Sequence, residues 1–198
     1  EERGPLAGKV FDASLALNRS LEKSTGIDLG RVLFGPVHGA LGGNIRYLIS
    51  GGAALPPDTA KLFSGLGLPL AEGYGLTEAS PVLTVAKRGA KPGSVGKPVP
   101  GVEIRIDAPN AEGVGEVLAR GKNVMVGYEG DAAATAKVLT EDGWLRTGDL
   151  GKLDRKGALT LVGREKDVIV GVNGENLYPD DIERGLGEMP FVEEFCVV

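Results

Sequence analysis

Three features of the amino-acid sequence predict an α/β chain. First, the strand-like run Ile45-Arg46-Tyr47-Leu48-Ile49 is broken by Ser50-Gly51-Gly52, a helix opens at Pro57-Asp58 and reaches Leu66, and Leu68-Pro69-Leu70-Ala71 follows as a second strand. This β-loop-α-β order implies a parallel crossover, with ligands collecting at the loops beyond the strands' carboxyl ends. Second, from about Lys91 the texture changes to short strands separated by Gly/Pro turns, as in a small barrel or sandwich. Third, the chain after Arg164 reads β-β-α-β and stops inside an apolar run, an order that wants further partners. With no Met at its start, the sequence reads as a portion cut from a longer protein.

Taken in order, Val10, Ala13, Leu17 and Leu21 recur at helical spacing and predict one amphipathic helix over 10–24, with that stripe facing a core. A short helix is expected from Pro36, which suits a first turn, to the stop at Gly42-Gly43. Ile45–Ile49 then reads as a buried strand, and Leu68–Ala71 as a strand leading into a Gly-Tyr-Gly turn at 73–75. Further strands are expected at Val102–Asp107, Gly115–Arg120, Leu150–Leu153 and Ala158–Val162, with a helix at Asp131–Leu139. A hairpin begins at Val168–Val172 and turns at Asn173-Gly174, a helix opens at Pro179-Asp180-Asp181, and Phe195–Val198 forms a last strand. The expected parts are residues 1–90, 91–165 and 166–198.

Composition excludes several function classes. Twenty-two Lys+Arg against 27 Asp+Glu leave a net charge of −5, which gives no electrostatic attraction to nucleic acid or anionic lipid. One Cys and one His cannot build a disulfide or a His/Cys metal cluster, and a Ser/His/Asp triad would have to use His38. His38 is expected in a surface or packing role and Cys196 as a small core residue. No apolar run approaches the roughly 18 residues that cross a bilayer. A cytoplasmic protein is expected, with peripheral membrane contact left open. Glycine is the unusual count: 32 of 198, about 16% against an average near 7%, punctuates short apolar runs without a three-residue period and implies many tight turns.

Chemistry concentrates in Glu72-Gly73-Tyr74-Gly75-Leu76-Thr77-Glu78. Glycines let backbone approach a ligand closely, a tyrosine face can stack on a base, and Thr77 with Glu78 offers oxygens to phosphate-bound Mg²⁺. The plain alternative is a glycine turn with surface polar residues. Ser50-Gly51-Gly52-Ala53-Ala54 has side chains too small to obstruct a planar ligand. Thr147-Gly148-Asp149 supplies a carboxylate suited to a ribose diol, and Gly163-Arg164 a guanidinium suited to hydroxyl or phosphate. Singly, each is an ordinary solvated turn.

In this order, the blocks resemble the adenylate-forming superfamily of acyl-CoA synthetases, luciferases and peptide-synthetase adenylation domains. The match spans roughly residues 44–198 and includes Glu116–Tyr128 and Gly143-Trp144-Leu145-Arg146-Thr147-Gly148-Asp149. The resemblance implies part of a mixed α/β sheet domain, then a small β-barrel, then the start of a mobile α+β C-terminal domain. It also implies ATP or AMP, Mg²⁺ and coenzyme A as ligands, and a reaction that makes an acyl-adenylate and then a thioester. By that resemblance the loop at Gly52, Ala53 and Ala54 lies along the adenine, and Glu72, Gly73, Tyr74 and Gly75 surround it. Thr77 contacts the α-phosphate, Glu78 binds Mg²⁺, and Asp149 and Arg164 reach the ribose. Lys166 is the hinge of the mobile domain, and the loop around Gly174 reaches the site in the second half-reaction. The stretches Leu70–Pro81 and Val172–Pro179 look most like bacterial long-chain fatty acyl-CoA synthetases, whose fatty acid would be the acyl substrate. Aromatic-acid ligases share Gly-Tyr-Gly-x-Thr-Glu, and a non-catalytic nucleotide- or partner-binding module is the rival reading. Neither the superfamily's phosphate loop nor its late lysine is found here, so half a site and no synthetase activity are expected of the chain alone.

Overall fold

The computed structural model describes residues 5–198 except 54, 69, 88–89, 91–92, 174, 187–191, 193–194 and 198. By contact the chain divides into two compact units, Glu1–Gly73 with Lys87–Gly93, and Tyr74–Ala86 with Ser94–Val198. Tyr74–Ala86 groups with the later strands.

The first unit is built on helix α1 (Pro5–Thr25), the short helices α2 (Gly30–Leu33) and α3 (Gly35–Ala40), strand β1 (Leu48–Ser50), helix α4 (Pro57–Gly65) and strand β2 (Leu70–Gly75), whose last two residues belong to the second unit. Leu48, Ile49 and Ser50 pair in parallel with Leu70, Ala71 and Glu72, the arrangement the crossover pattern required. The strand is shorter than expected, and it is not buried: Tyr47 and Ile49 are exposed. Leu15, Phe34, Leu66 and Leu68 form the core, with Phe11 edge-on to Phe34 at a centroid distance of 5.5 Å. The inward face of α1 therefore carries Phe11, Leu15 and Asn18, not the expected stripe; Val10 and Leu17 are 59% and 53% exposed. Asn18 is fully buried, donating to Gly65 O at 3.0 Å and Asp28 Oδ1 at 3.1 Å and accepting from Leu29 N at 2.7 Å. Its amide satisfies backbone groups that burial would otherwise strand. His38 is buried with a ring nitrogen 2.8 Å from Leu66 O, a packing role.

The second unit adds β3 (Val82–Val85), β4 (Ser94–Pro98), β5 (Val102–Asp107), β6 (Gly115–Gly121), helix α5 (Ala132–Val138), β7 (Leu145–Leu153), β8 (Leu159–Arg164), the hairpin strands β9 (Ile169–Val170) and β10 (Asn176–Leu177), and helix α6 (Pro179–Leu186). Its antiparallel strands follow the order β3-β4-β8-β7-β6-β5, and β9 pairs with β10. Leu83, Val117, Ala119, Leu145 and Leu159 have no exposed surface and pack with Tyr74 and Ala79. Alternation along β5 and β6 sends one set of side chains into this core, which is what fixes register.

The expected turns are corrected in two places. Gly73-Tyr74-Gly75 is the end of strand β2, not a turn, and β7 begins at Leu145, so Thr147-Gly148-Asp149 lies within it. Glu116 faces Leu150 and Leu118 faces Arg146, which sets Thr147, Gly148 and Asp149 opposite the single residue Val117. This bulge, with Gly148 at φ +69°, bends the strand and aims Asp149. Phe195–Val197 forms no strand, and Cys196 is exposed, not a core residue. Among the described residues no helix is long and apolar enough to cross a membrane.

Candidate functional site

Within the second unit a cavity of about 630 Å³ opens where a 3-10 turn at Thr77–Ala79, the start of β7 and the end of β8 meet. Gly75 brings the chain to this turn with no room for a side chain, since a Cβ there would run into the Pro81 carbonyl. The turn presents Thr77 and Glu78 to the cavity. Tyr128 lies across from them and donates its hydroxyl to Glu78 Oε1 at 2.9 Å, a bond that holds its phenol above the usual value, with burial a smaller cause. Arg164, the last residue of β8, lines the same cavity.

Beside it the bulge places Asp149 directly across from Arg164 in the β7–β8 register. Arg164 Nε is 3.0 Å from Asp149 Oδ1, and the Tyr74 hydroxyl donates to Asp149 Oδ2 at 2.7 Å. Both carboxylate oxygens are thus held from opposite sides, and Asp149 N donates to Thr147 Oγ1 at 3.1 Å. Tyr74 is only 7% exposed and packs with the core. Burial, and then the charge of Asp149, push its phenol far above the ordinary range. A phenol kept protonated is a permanent donor, which suits a carboxylate that must stay in one orientation.

The remaining expected residues divide as follows. Gly52, Ala53, Glu72 and Gly73 lie in the first unit, where Glu72 Oε1 accepts from Leu55 N at 3.2 Å and Gly52 and Ala53 are exposed. Ala54 and Gly174 lie outside the described residues. Lys166 sits exposed in the 3-10 turn Glu165–Asp167 and is not among the cavity's lining residues. Sequence reasoning missed Tyr128 as a partner of Glu78 and Tyr74 as a partner of Asp149. It also missed Glu116, which pairs with Arg146 on the cavity wall. The sole legible signal was that Tyr128 closes the Glu116–Tyr128 block.

The fit of Mg²⁺ follows from the donor set. Among the described residues no three His, Cys, Asp or Glu side chains gather as an ion cage. Glu78, with one oxygen held by Tyr128, presents a single oriented carboxylate at the cavity wall. Mg²⁺ is commonly bound by one or two carboxylates together with water and substrate phosphates, so Glu78 fits an ion shared with a nucleotide.

Comparison with known proteins identifies a family. The model of the AMP-binding enzyme family matches residues 6–129. The long-chain-fatty-acid–CoA ligase FadD15 of Mycobacterium bovis is 41% identical over 213 aligned positions, covering 100% of this chain and 34% of that protein. A feruloyl-CoA synthase of an Amycolatopsis species is 40% identical, covering 78% of this chain and 33% of that protein. Among solved structures, the Bacillus subtilis O-succinylbenzoate–CoA synthetase in complex with ATP and magnesium is similar at a TM-score of 0.68 and 34% identity, over 75% of this chain and 32% of that one. The chain spans about a third of the length of these relatives. It belongs to the AMP-binding enzyme family.

Proposed function

We propose that this chain supplies part of the adenylate site of an acid–thiol ligase that activates a long-chain fatty acid with ATP and transfers it to coenzyme A. The observation that supports this most is the side-by-side arrangement of Thr77, Glu78 and Arg164 on one cavity with Asp149 clamped between Arg164 and Tyr74. In this reading Asp149 accepts hydrogen bonds from the ribose hydroxyls, Arg164 fixes Asp149 and reaches the ribose, and Thr77 donates to the α-phosphate. Bound at Glu78, Mg²⁺ would neutralise phosphate charge. The residues' own work is orientation: the carboxylate attacks the α-phosphate, pyrophosphate leaves, and the thiol of coenzyme A then displaces AMP. No protein nucleophile is needed.

The loop at Gly52–Ala53 and the backbone at Glu72–Gly73 would border the adenine, as the family resemblance implies. Residues from Lys166 onward would open a mobile domain, with Lys166 as its hinge. Likeness to FadD15 over the whole chain favours a fatty acyl group. Likeness to a feruloyl-CoA synthase supports a second reading, an aromatic acid, over 78% of the chain. Calorimetric titration of the chain with non-hydrolysable adenylates of a long-chain fatty acid and of an aromatic acid separates the two. Tighter binding of the fatty adenylate is expected; a preference for the aromatic one transfers the assignment to that class, and binding of neither removes the adenylate-site reading.

A further inference from the structure

The Glu78 carboxylate is not left to find its own orientation. The segment after β6 grips the turn that carries it at several points. Met125 N donates to Glu78 O at 2.8 Å, and Asn123 Nδ2 donates to Ala79 O at 2.8 Å and Val82 O at 3.0 Å. The backbone of the turn is thereby fixed, but a glutamate side chain retains rotatable bonds of its own, and among the described residues the Tyr128 hydroxyl restrains them, at 2.9 Å from Oε1. Tyr128 is itself held from below. Its N–H donates to Thr135 Oγ1 at 2.9 Å, Thr135 Oγ1 donates to Asp131 O at 2.8 Å, and Asp131 caps α5 through Ala134 N at 2.8 Å. A capped helix thus anchors the tyrosine, which in turn anchors the carboxylate.

We propose that Tyr128 is a positioning residue that orients the Glu78 carboxylate toward a nucleotide-bound divalent cation. This rests on the reading of Glu78 as the protein's ligand to that ion. Core packing does not account for the arrangement: Tyr128 is 38% exposed and its hydroxyl points to the cavity side, where Glu78 and Thr77 stand. A ligand carboxylate restrained by one charge-assisted hydrogen bond loses less freedom when it takes a cation, so the bond strengthens metal binding without touching the metal.

The test uses the whole chain, Mn²⁺ as the probe ion and ATP or AMP as the nucleotide, with Mn²⁺ followed by electron paramagnetic resonance and nucleotide affinity by calorimetry. Tyr128→Phe keeps the ring and removes only the hydroxyl. It should weaken Mn²⁺ binding in the presence of ATP roughly three- to ten-fold and leave metal-free AMP affinity unchanged. Glu78→Gln should abolish the metal dependence. Unchanged Mn²⁺ affinity in Tyr128→Phe, with Glu78→Gln still lowering it, overturns the positioning role and spares the reading of Glu78. Equal loss of metal-free AMP affinity in Tyr128→Phe also overturns it, because Tyr128 is then part of the fold or of the nucleotide wall. Metal dependence unaffected by Glu78→Gln, or absent from the unaltered chain, overturns both.

Discussion

Tyr74 and Asp149, 75 residues apart in sequence, meet in a 2.7 Å hydrogen bond inside the second unit, with the phenol buried and the carboxylate turned toward Arg164. The bond joins the core to the candidate site. Through its hydroxyl, Tyr74 acts as a strut for Asp149.

Removing the strut should be costly. Tyr74→Phe deletes a buried donor to a charged acceptor and leaves one Asp149 oxygen without its partner, a loss of about 1–3 kcal/mol. Urea unfolding should show a lower midpoint at unchanged slope. A midpoint equal to that of the unaltered chain would mean that water replaces the phenol.

The same phenol sets an alkaline limit. Its folded value is raised, so the effect is absent below the ordinary tyrosine value of roughly 10, where folded and unfolded chains both hold the proton. Above it the unfolded chain releases the proton and the folded chain does not, and stability falls by up to about 1.4 kcal/mol per pH unit. Urea midpoints at about pH 9 and about pH 11 should fall further for the unaltered chain than for Tyr74→Phe. Parallel falls would show that Tyr74 ionises freely in the fold.

Much of the element order was legible because it rests on local rules: the crossover around Pro57, the helix near Asp131–Leu139, the hairpin after Arg164. What escaped depended on distance. Apolar periodicity marked a stripe on α1, but the helix presents its Phe11–Leu15–Asn18 face inward, and a buried asparagine gives no hydrophobic signal. Gly65 settles the choice, since its missing side chain is where Leu15 packs. In Thr147-Gly148-Asp149 the glycine announced a turn, although the same positive φ serves a bulge inside a strand. The candidate carboxylates Glu78 and Asp149 were singled out by motif order, whereas their tyrosine partners, 50 and 75 residues away, follow no spacing rule.

Asn18 offers a check on the first unit. Asn18→Leu leaves Gly65 O and Leu29 N without the partner they have now, at about 1–3 kcal/mol for each group. Amide hydrogen exchange in α1 and α4 should accelerate in this variant. Exchange as slow as in the unaltered chain would mean that apolar packing offsets the lost hydrogen bonds.

At Gly148 there is space for a methyl group but the wrong backbone angle, φ +69° with nothing within 4 Å of a Cβ. Gly148→Ala should therefore cost about 1–2 kcal/mol through conformation alone, read as a lower melting temperature. A change below about half that size would show that the bulge relaxes without loss.

Asp149, aimed by the bulge and held by Tyr74 and Arg164, is expected to receive the ribose of an adenylate. Calorimetric titration of the chain with AMP, compared with Asp149→Ala, tests this most directly. AMP should bind measurably, and binding should weaken at least roughly ten-fold in Asp149→Ala, the size expected from losing charge-assisted bonds to a diol. Equal AMP affinity in the two proteins, or no binding by the unaltered chain, would contradict it.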